Sequence, residues 1–347
     1  MNDPRKSLDA PLWQRVEDRI HRVAFRYGYH EIRLPILESA GLYAASGREP
    51  QSFTAEGVAL RPDGTPGCVK AVIEARGDGR LDTERLWYQG PVFRRQGESI
   101  RQIHQFGVEA FGMAGADIDA ELIMMTWDIF AALGLHGKFD LEIHTVGTWQ
   151  EQKAASGRLS ADSRRHFSSL CELLDLTGVP YEANPASHTG SGYYTRTVFC
   201  WRPAGRPDAP ALVSGGRYDD LAAHHAGRPL PATGFAFDFD ALVQYVARVG
   251  GFEAEAGGPR IVIDLQRPQQ GEDAVLLAHR LRRRLPTVTV LTALSGREAP
   301  AAAEGAQWRI TLRTDQRVDI YSLLQDRTWC VPIDQVIDVV TERSRED

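Results

Sequence analysis

Long apolar runs, signal-like leaders and clustered cysteines are all missing from this sequence. No stretch of about 18 apolar residues occurs, so no membrane-spanning helix is predicted and no membrane partner is expected. The first residues, MNDPRKSLDAP, contain no apolar segment of the kind that directs secretion. The few cysteines show neither a CxxC pair nor a spacing typical of metal ligands; they are Cys68, Cys171, Cys200 and Cys330. We therefore expect reduced thiols in a cytoplasm, and the sequence predicts no metal and no cofactor.

Excess positive charge is also missing. The chain of 347 residues has a formal net charge of −6 and a pI near 6.0, which argues against a strongly basic surface for nucleic acid. Its 43% hydrophobic and 25% charged residues are typical of globular proteins. The length suffices for one large domain and a small one. A stretch rich in Gly, Ala and Glu at 251–258 predicts a linker between domains at 1–250 and 259–347.

Residues 85–112 contain the most informative pattern in the chain. They predict a β-hairpin, two strands joined by a short polar loop. Because side chains alternate along a strand, Gln105, Gly107 and Glu109 lie on one face. A glycine inside a strand often marks the close approach of a ligand or another backbone. With Arg94 near the hairpin end, this face offers an amide, a carboxylate and a guanidinium, a set that suits an amino-acid zwitterion. The alternative is an ordinary charged sheet face.

The same stretch resembles a known family. GPVFR followed by RQIHQFGVEAFG is similar to motif 2 of the class II histidyl-tRNA synthetases and their paralogues. Three further similarities occur in the same chain order. GYHEIRLPILE resembles motif 1, LRPDGT resembles the histidine-binding strand, and GYYTRTVF with SGGRYDDL and ATGFAFDFDAL resembles the histidine signature and motif 3. The resemblance covers about two thirds of the chain.

The resemblance implies an α+β fold, with a class II synthetase-like antiparallel sheet and flanking helices. The part after residue 258 is predicted to be a small α/β domain, because it combines β-runs with a helical run. In the family, the helix and strand predicted here at 11–27 and 31–37 form the dimer interface, so the resemblance implies a homodimer. It also implies a histidine-binding site made of Asp63, Thr65, Arg94, Gln105, Glu109, Tyr193 and Tyr194.

Two parts of this implied site have an alternative interpretation. In the family, the turn that holds Asp63 presents an acid and a hydroxyl to the α-amino group of histidine, and the acid is usually Glu. From the residues alone, Asp63 can instead hold its own backbone in an Asx turn. In the family, Tyr193 and Tyr194 line the imidazole pocket, where a phenol stacks and offers a hydroxyl. From the residues alone, they can equally be core tyrosines.

The ATP-binding machinery departs from the family pattern. Amino-acid activation needs cations around the α-phosphate, because negative charge builds up there. The motif 2 arginine is kept as Arg94, but Thr189 and Ala241 stand where the family has its other two arginines. The loop at 95–100 is shorter than the synthetase loop. The helical insertion at 147–179, which reaches over tRNA in the family, is also shorter, so tRNA is not an expected partner.

Together these features resemble the regulatory subunits of ATP phosphoribosyltransferase, the first enzyme of histidine biosynthesis, and this resemblance implies a non-catalytic subunit with no catalytic residues of its own. The expected partners are histidine or a related amino acid, and the short-form catalytic subunit that it would activate and regulate. Two alternatives remain: a paralogue that activates or modifies an amino acid without tRNA, and a true histidine-tRNA ligase. The stretch RQIHQFGVEAFG favours the enzymes, since it is closer to true synthetases than to many regulatory subunits.

Overall fold

The computed structural model describes residues 10–43, 53–75, 83–96, 99–153, 159–183, 193–227, 230–249, 260–285, 288–292, 306–313 and 315–343. The chain divides into two units, Met1–Phe252 and Glu253–Asp347. Its described helices are α1 (Ala10–Arg26), α2 (Thr65–Ala75), α3 (Ala116–Ala132), α4 (Trp149–Lys153), α5 (Ala161–Thr177), α6 (Asp219–Ala226), α7 (Phe239–Val249), α8 (Gly271–Arg284) and α9 (Val336–Arg343). None of these helices is long and apolar enough to cross a membrane.

The described strands are β1 (His30–Glu31), β2 (Leu37–Ser39), β3 (Phe53–Ala55), β4 (Val58–Leu60), β5 (Glu84–Gln96), β6 (Ser99–Phe111), β7 (Phe139–Gly147), β8 (Glu182–Ala183), β9 (Thr195–Pro203), β10 (Val213–Arg217), β11 (Ala232–Asp238), β12 (Arg260–Leu265), β13 (Thr289–Thr292), β14 (Trp308–Leu312), β15 (Arg317–Ser322) and β16 (Arg327–Pro332). They form three sheets, of which β2, β4 and β3 make the smallest.

An eight-stranded sheet forms the centre of the first unit, in the order β1-β5-β6-β11-β10-β9-β7-β8. Its neighbours are antiparallel except at the two edges, where β1 is parallel to β5 and β7 is parallel to β8. β5 and β6 are the predicted hairpin and pair from Glu84↔Phe111 to Gln96↔Ser99. Their Val, Ile and aromatic residues suit a pleated, half-buried surface. The predicted α+β class with a mainly antiparallel sheet is confirmed.

Helices α1, α3, α5 and α7 cover one face of this sheet. The apolar residues of α1 recur every three or four positions, so they share one side of the helix and are buried together. They join sheet residues such as Phe106 and Phe237 in the large core of the unit. Helices α2 and α6 lie on the other face, where a smaller cluster surrounds Tyr88 and Tyr218. Gln105 and Glu109 alternate with the core residues of β6 and therefore face this second side.

The second unit contains a five-stranded sheet in the order β13-β12-β14-β15-β16. β13, β12 and β14 are parallel, and the other pairs are antiparallel. Helix α8 packs on the sheet through apolar residues three or four positions apart, namely Ala274, Leu277, Ala278 and Leu281. This is the expected small α/β domain. β16 and α9 were not among the elements that the sequence predicted.

The segment at 31–37 differs from its prediction as a single strand. Only β1 pairs with β5, and the chain then continues without a ladder until β2 begins in the small sheet. The buried side chain of Arg61 explains the difference. Its Nη1 donates to the carbonyl oxygens of Leu34 at 2.9 Å and Pro35 at 3.4 Å, so these carbonyls bond to a guanidinium instead of to a strand. Pro35 has no N–H to contribute in any case.

Helix α3 begins without a side-chain cap. Its N-cap is Gly115, although Asp117 and Asp119 follow in the first turn. Asp119 is instead fully buried, and its Oδ1 accepts a hydrogen bond from Arg217 Nη2 at 2.8 Å. A buried guanidinium requires a paired carboxylate, and this requirement places Asp119 toward the sheet.

Two further elements have different bounds from those predicted. The strand expected at 190–201 is β9, which begins at Thr195, and residues 184–192 lie outside the described residues. The charged helical segment forms the two helices α4 and α5. α5 begins after Ser160, whose Oγ accepts from the backbone N–H of Ser163 at 3.1 Å, and ends at Gly178 with a left-handed φ of 71°.

Candidate functional site

A cavity of about 410 Å³ opens on the face of the eight-stranded sheet that α2 and α6 share. Its walls come from the hairpin β5–β6, from β10 and β11, and from the turn before α2. The residues proposed for amino-acid binding all lie in its lining, although they come from distant parts of the sequence: Asp63, Thr65, Arg94, Gln105, Glu109, Tyr193 and Tyr194. The strand order β5-β6-β11-β10-β9 brings the hairpin and the start of β9 into one sheet, and Gln105 bonds to the turn that holds Asp63.

Gly107 was predicted to mark a place in β6 where a ligand or another backbone comes close, because it leaves a gap between the side chains of Gln105 and Glu109. In the structure, a Cβ at Gly107 would overlap the ring of Tyr88, its cross-strand partner. The Tyr88 hydroxyl donates to Gln105 Oε1 at 3.3 Å, and the ring is 1% exposed. The gap is therefore filled by a tyrosine of the protein itself, and the interpretation as an opening for ligand is wrong.

Glu109 is the buried acid at the bottom of the cavity. Its Oε1 accepts from Thr65 Oγ1 at 2.7 Å, and its Oε2 accepts from the Tyr218 hydroxyl. Burial raises the pKa of Glu109 to about 8, and the negative charge of Asp63 adds to the rise, while the hydrogen bonds from Thr65 and Tyr218 oppose it. Gly234 faces this carboxylate across the β6–β11 pair, and a Cβ there would overlap Glu109 Oε2.

Tyr218 and Gly234 were not predicted as site residues. Both lie inside stretches that carry the resemblance, SGGRYDDL and ATGFAFDFDAL, so the signal was present but no role was attached to it. The Tyr218 pKa is raised by burial and by the Glu109 carboxylate. A phenol with a raised pKa stays protonated, so the Tyr218 hydroxyl donates a hydrogen bond to Glu109.

Asp63 forms the Asx turn that the sequence allowed, and its contact with a ligand stays a prediction. Its Oδ1 accepts from the backbone N–H of Thr65 at 3.4 Å, which is the geometry of an Asx turn. The same oxygen accepts from Gln105 Nε2 at 3.2 Å. Gln105 Oε1 in turn accepts from the backbone N–H of Gly64 at 3.1 Å. The turn and the strand are therefore locked together, with the Asp63 carboxyl group in the cavity lining.

Tyr193 and Tyr194 pack in the core and also line the cavity. Their rings lie 4.7 Å apart at 44°, and Tyr193 meets Tyr218 edge-on at 6.2 Å. Tyr193 belongs to the small hydrophobic cluster and is 8% exposed. Both residues line the cavity, and their contact with an imidazole stays a prediction.

Positive charge is confined to one end of the described cavity lining, where Arg94 and Arg101 pair across the hairpin. Arg94 is held in place because its Nε donates to the carbonyl oxygen of Pro62 at 3.0 Å. Ala241 lies in the first turn of α7, and its N–H donates to Asp238 Oδ1 at 2.9 Å. Asp238, the cross-strand partner of Gln105, also lines the cavity and adds a carboxylate to the lining. Thr189, the other substituted position, lies outside the described residues.

The raised pKa of Glu109 gives the first testable prediction. The folded chain holds this proton between pH about 4.5 and about 8, where the unfolded chain releases it. The free energy of unfolding contributed by this group therefore falls by about 1.4 kcal/mol for each pH unit across that window. We expect Glu109→Gln, which cannot ionise, to lose this slope in urea unfolding measured on ligand-free protein. Glu38→Gln, which replaces a buried acid outside the cavity, is the control and should keep the slope. Parallel profiles for the two variants would contradict the prediction.

The fold and this site together define a class of protein. A mainly antiparallel sheet with helices on one face and an open, polar cavity on the other is the arrangement of class II aminoacyl-tRNA synthetase-like proteins. A family model described as histidyl-tRNA synthetase matches residues 8–179 and 148–242. These matches cover more than half of the chain, which therefore belongs to the histidyl-tRNA synthetase family.

Solved structures similar to this chain agree on the fold. Apo histidyl-tRNA synthetase from S. aureus superposes with a TM-score of 0.81 at 24% identity, covering 98% of this chain and 97% of that chain. A protein from Bacillus halodurans described as an ATP phosphoribosyltransferase regulatory subunit/histidyl-tRNA synthetase has a TM-score of 0.64 at 22% identity, covering 87% and 94%. A histidine-tRNA ligase subunit from Alicyclobacillus acidocaldarius has a TM-score of 0.58 at 22% identity, covering 72% and 96%. At these identities the likeness is evidence for the fold alone.

Proposed function

We propose that this chain is a regulatory subunit of ATP phosphoribosyltransferase that binds histidine and does not itself activate an amino acid. One observation carries the proposal: the cavity is lined by acid, hydroxyl, amide and guanidinium groups that suit an amino acid, while Ala241, which stands where the family has an arginine, bonds to the lining carboxylate Asp238. A similar solved structure bears the name of such a regulatory subunit, which supports the proposal at the level of the family.

In this proposal histidine lies with its α-amino group toward the turn of Asp63 and Thr65. Its imidazole points toward Glu109 and the tyrosine rings, because the buried acid of Glu109, which keeps its proton up to pH about 8, can donate a hydrogen bond to an imidazole nitrogen. Its carboxylate points toward Arg94, at the cationic end. The volume of about 410 Å³ lies in the range of small-molecule sites, about 300–1,000 Å³.

In this proposal the cavity lacks two of the cations that would stabilise the transition state when ATP activates the bound histidine. Charge that develops on the α-phosphate must meet fixed cations, and removal of one such donor typically costs about 10²–10³ in rate. The described lining supplies two cations, Arg94 and Arg101, but it also contains the carboxylate of Asp238. A carboxylate opposes the binding of a polyphosphate, since like charges repel in a poorly solvated cavity.

Regulation requires that histidine bind two states of the complex with different affinity, because equal affinity shifts no equilibrium.

The proposal includes a homodimer. The side of α1 next to β1 carries exposed apolar groups, with Phe25 77% exposed, and a groove there is lined by Phe25, Tyr29 and Trp87 among others. It also includes a cytoplasmic location, in keeping with the free cysteines of the chain.

A mixing experiment tests the proposal. We expect the purified chain to raise the rate of a short-form ATP phosphoribosyltransferase and to form a stable complex with it in light scattering, where the chain alone has the mass of two copies. Added histidine should lower the rate of the mixture. Histidine-dependent exchange of pyrophosphate into ATP should stay at the background of a no-protein control. Brisk exchange without any effect on the phosphoribosyltransferase would overturn the proposal.

A second candidate is an enzyme of the same family, either one that activates or modifies an amino acid without tRNA or a true histidine-tRNA ligase. The likeness to the S. aureus synthetase favours it, since that likeness extends over 98% of the chain. Pyrophosphate exchange would support either enzyme, and transfer of histidine to tRNA would identify the ligase.

A further inference from the structure

Three potential metal ligands meet on β7 and β9, outside the residues assigned to the cavity. They are Glu142, His144 and Cys200, whose ligand atoms all lie within 4.8 Å of one another. Glu142 and Cys200 are cross-strand partners, and His144 follows Glu142 by two positions, so the three side chains leave the sheet on one face. Their chain positions gave no metal-binding signal, because strand pairing alone brings Cys200 to the other two residues.

The separations fit a single ion. Glu142 Oε2 lies 3.6 Å from His144 Nε2 and 3.7 Å from Cys200 Sγ. Ligand atoms around a tetrahedral Zn²⁺, bound at about 2.0–2.3 Å, are about 3.3–3.8 Å apart. The two separations from Glu142 fall in this range, and the separation of His144 from Cys200 is at most 4.8 Å. An ordinary hydrogen bond from the Cys200 thiol to Glu142 is the competing explanation for the same contact.

Arg202 orients the carboxylate of this cluster. Its Nε lies 3.6 Å from Glu142 Oε1, so one oxygen faces the guanidinium and the other faces His144 and Cys200. A partner that fixes a ligand from behind in this way is a regular feature of metal sites. The positive charge of Arg202 opposes a nearby cation, but it also favours the thiolate form of Cys200.

We propose that Glu142, His144 and Cys200 form a binding site for a zinc-like divalent ion. The site offers a carboxylate oxygen, an imidazole nitrogen and a thiolate sulfur. This set favours Zn²⁺ over the hard ions Mg²⁺ and Ca²⁺. A tetrahedral ion needs a fourth ligand. In this proposal the fourth ligand is water, which can enter because the Glu142 side chain is 23% exposed. Binding forms a metal–sulfur bond and releases the Cys200 proton to solvent.

The cluster shares a sheet face with the cavity. Cys200 is the cross-strand partner of Ser214, which lines the cavity, and Ser214 is in turn the partner of Ala236 in the same lining. A bound ion would join β7 to β9 on the side of the sheet where the proposed histidine lies. The proposal does not depend on that assignment, because it rests on the three ligands alone.

Cobalt substitution tests the site. The full chain, untagged, is stripped with a chelator and titrated with Co²⁺ or Zn²⁺. We expect one ion per chain by plasma mass spectrometry, and with Co²⁺ a near-ultraviolet band from thiolate-to-metal charge transfer. Cys200→Ser should lose that band, and Cys171→Ser, which alters a cysteine outside the cluster, should keep it. Retention of the band in Cys200→Ser, or no ion bound by the unaltered chain, would overturn the proposal.

A second variant separates loss of the site from loss of the fold. Glu142 is partly exposed, so Glu142→Gln should melt within a few degrees of the unaltered chain in chelator. Its affinity for Co²⁺ should nevertheless fall by about 10-fold or more, because an ionised ligand is replaced by a neutral one. An unchanged affinity would remove Glu142 from the site and leave the pair of His144 and Cys200, which overturns the three-ligand proposal.

Discussion

Replacing Glu109 with alanine is expected to abolish histidine binding in isothermal calorimetry, which corresponds to a loss of at least about 100-fold in affinity. The carboxylate is 1% exposed and accepts hydrogen bonds from Thr65 and Tyr218. Its removal takes away a hydrogen bond to the imidazole and leaves two buried hydroxyls without their acceptor, at about 1–3 kcal/mol for each unsatisfied group. Glu109→Gln keeps the volume of the side chain, so its affinity for histidine should lie between that of Glu109→Ala and that of the unaltered chain.

A matched substitution controls for damage to the fold. Glu38 is also buried, but its carboxylate accepts from Lys70 Nζ at 2.7 Å and does not line the cavity. Glu38→Ala should therefore bind histidine as the unaltered chain does. Equal binding by Glu109→Ala and the unaltered chain would show that the imidazole does not contact Glu109, while activation of the phosphoribosyltransferase could still be tested separately.

Replacing Asp119 with alanine is expected to lower the free energy of unfolding of the first unit by about 3–5 kcal/mol. Asp119 and Arg217 are both fully buried, and the Asp119 carboxylate also accepts from Thr197 Oγ1 at 2.7 Å and contacts His166 Nε2 at 2.7 Å. The charge of Arg217 holds the pKa of Asp119 below its usual value against the opposing effect of burial. The variant leaves the guanidinium buried with much of its compensation gone.

Urea unfolding followed by tryptophan fluorescence measures this loss, because Trp201 lies in the core of the same unit. Asp162→Ala is the control. Asp162 pairs with Arg165 and Arg196 at the surface, where its side chain is 64% exposed. Exposed ion pairs contribute about 0–1 kcal/mol, so this variant should unfold close to the unaltered chain. Similar midpoints for the two variants would mean that solvent reaches Arg217.

The sequence predicted what depends on local periodicity. Alternation along β6 placed Gln105 and Glu109 on one face, and both line the cavity. Helices with a regular apolar stripe, such as α1, were predicted within a residue or two. These features follow from neighbours a few positions apart, which a single sequence displays directly.

The sequence did not predict contacts between residues that are far apart in the chain. Tyr218 donates to a carboxylate 109 positions away, and Arg217 pairs with Asp119 across 98 positions. Strand order decides both, and no local pattern encodes strand order. The gap at Gly107 was misinterpreted for the same reason: its occupant, Tyr88, comes from the neighbouring strand.

Arg61 has a mechanical consequence. Its guanidinium bonds to Leu34 O and to Pro91 O at 2.7 Å, and its own backbone N–H donates to Ile36 O at 2.9 Å. Two residues later the chain reaches Asp63. The outer segment that leads into β2 and the turn that would hold the ligand's amino group are thus clamped by one side chain. A displacement of the segment at 34–36 would therefore strain the hydrogen bonds of Arg61. We expect such a displacement to change the position of the turn that holds Asp63.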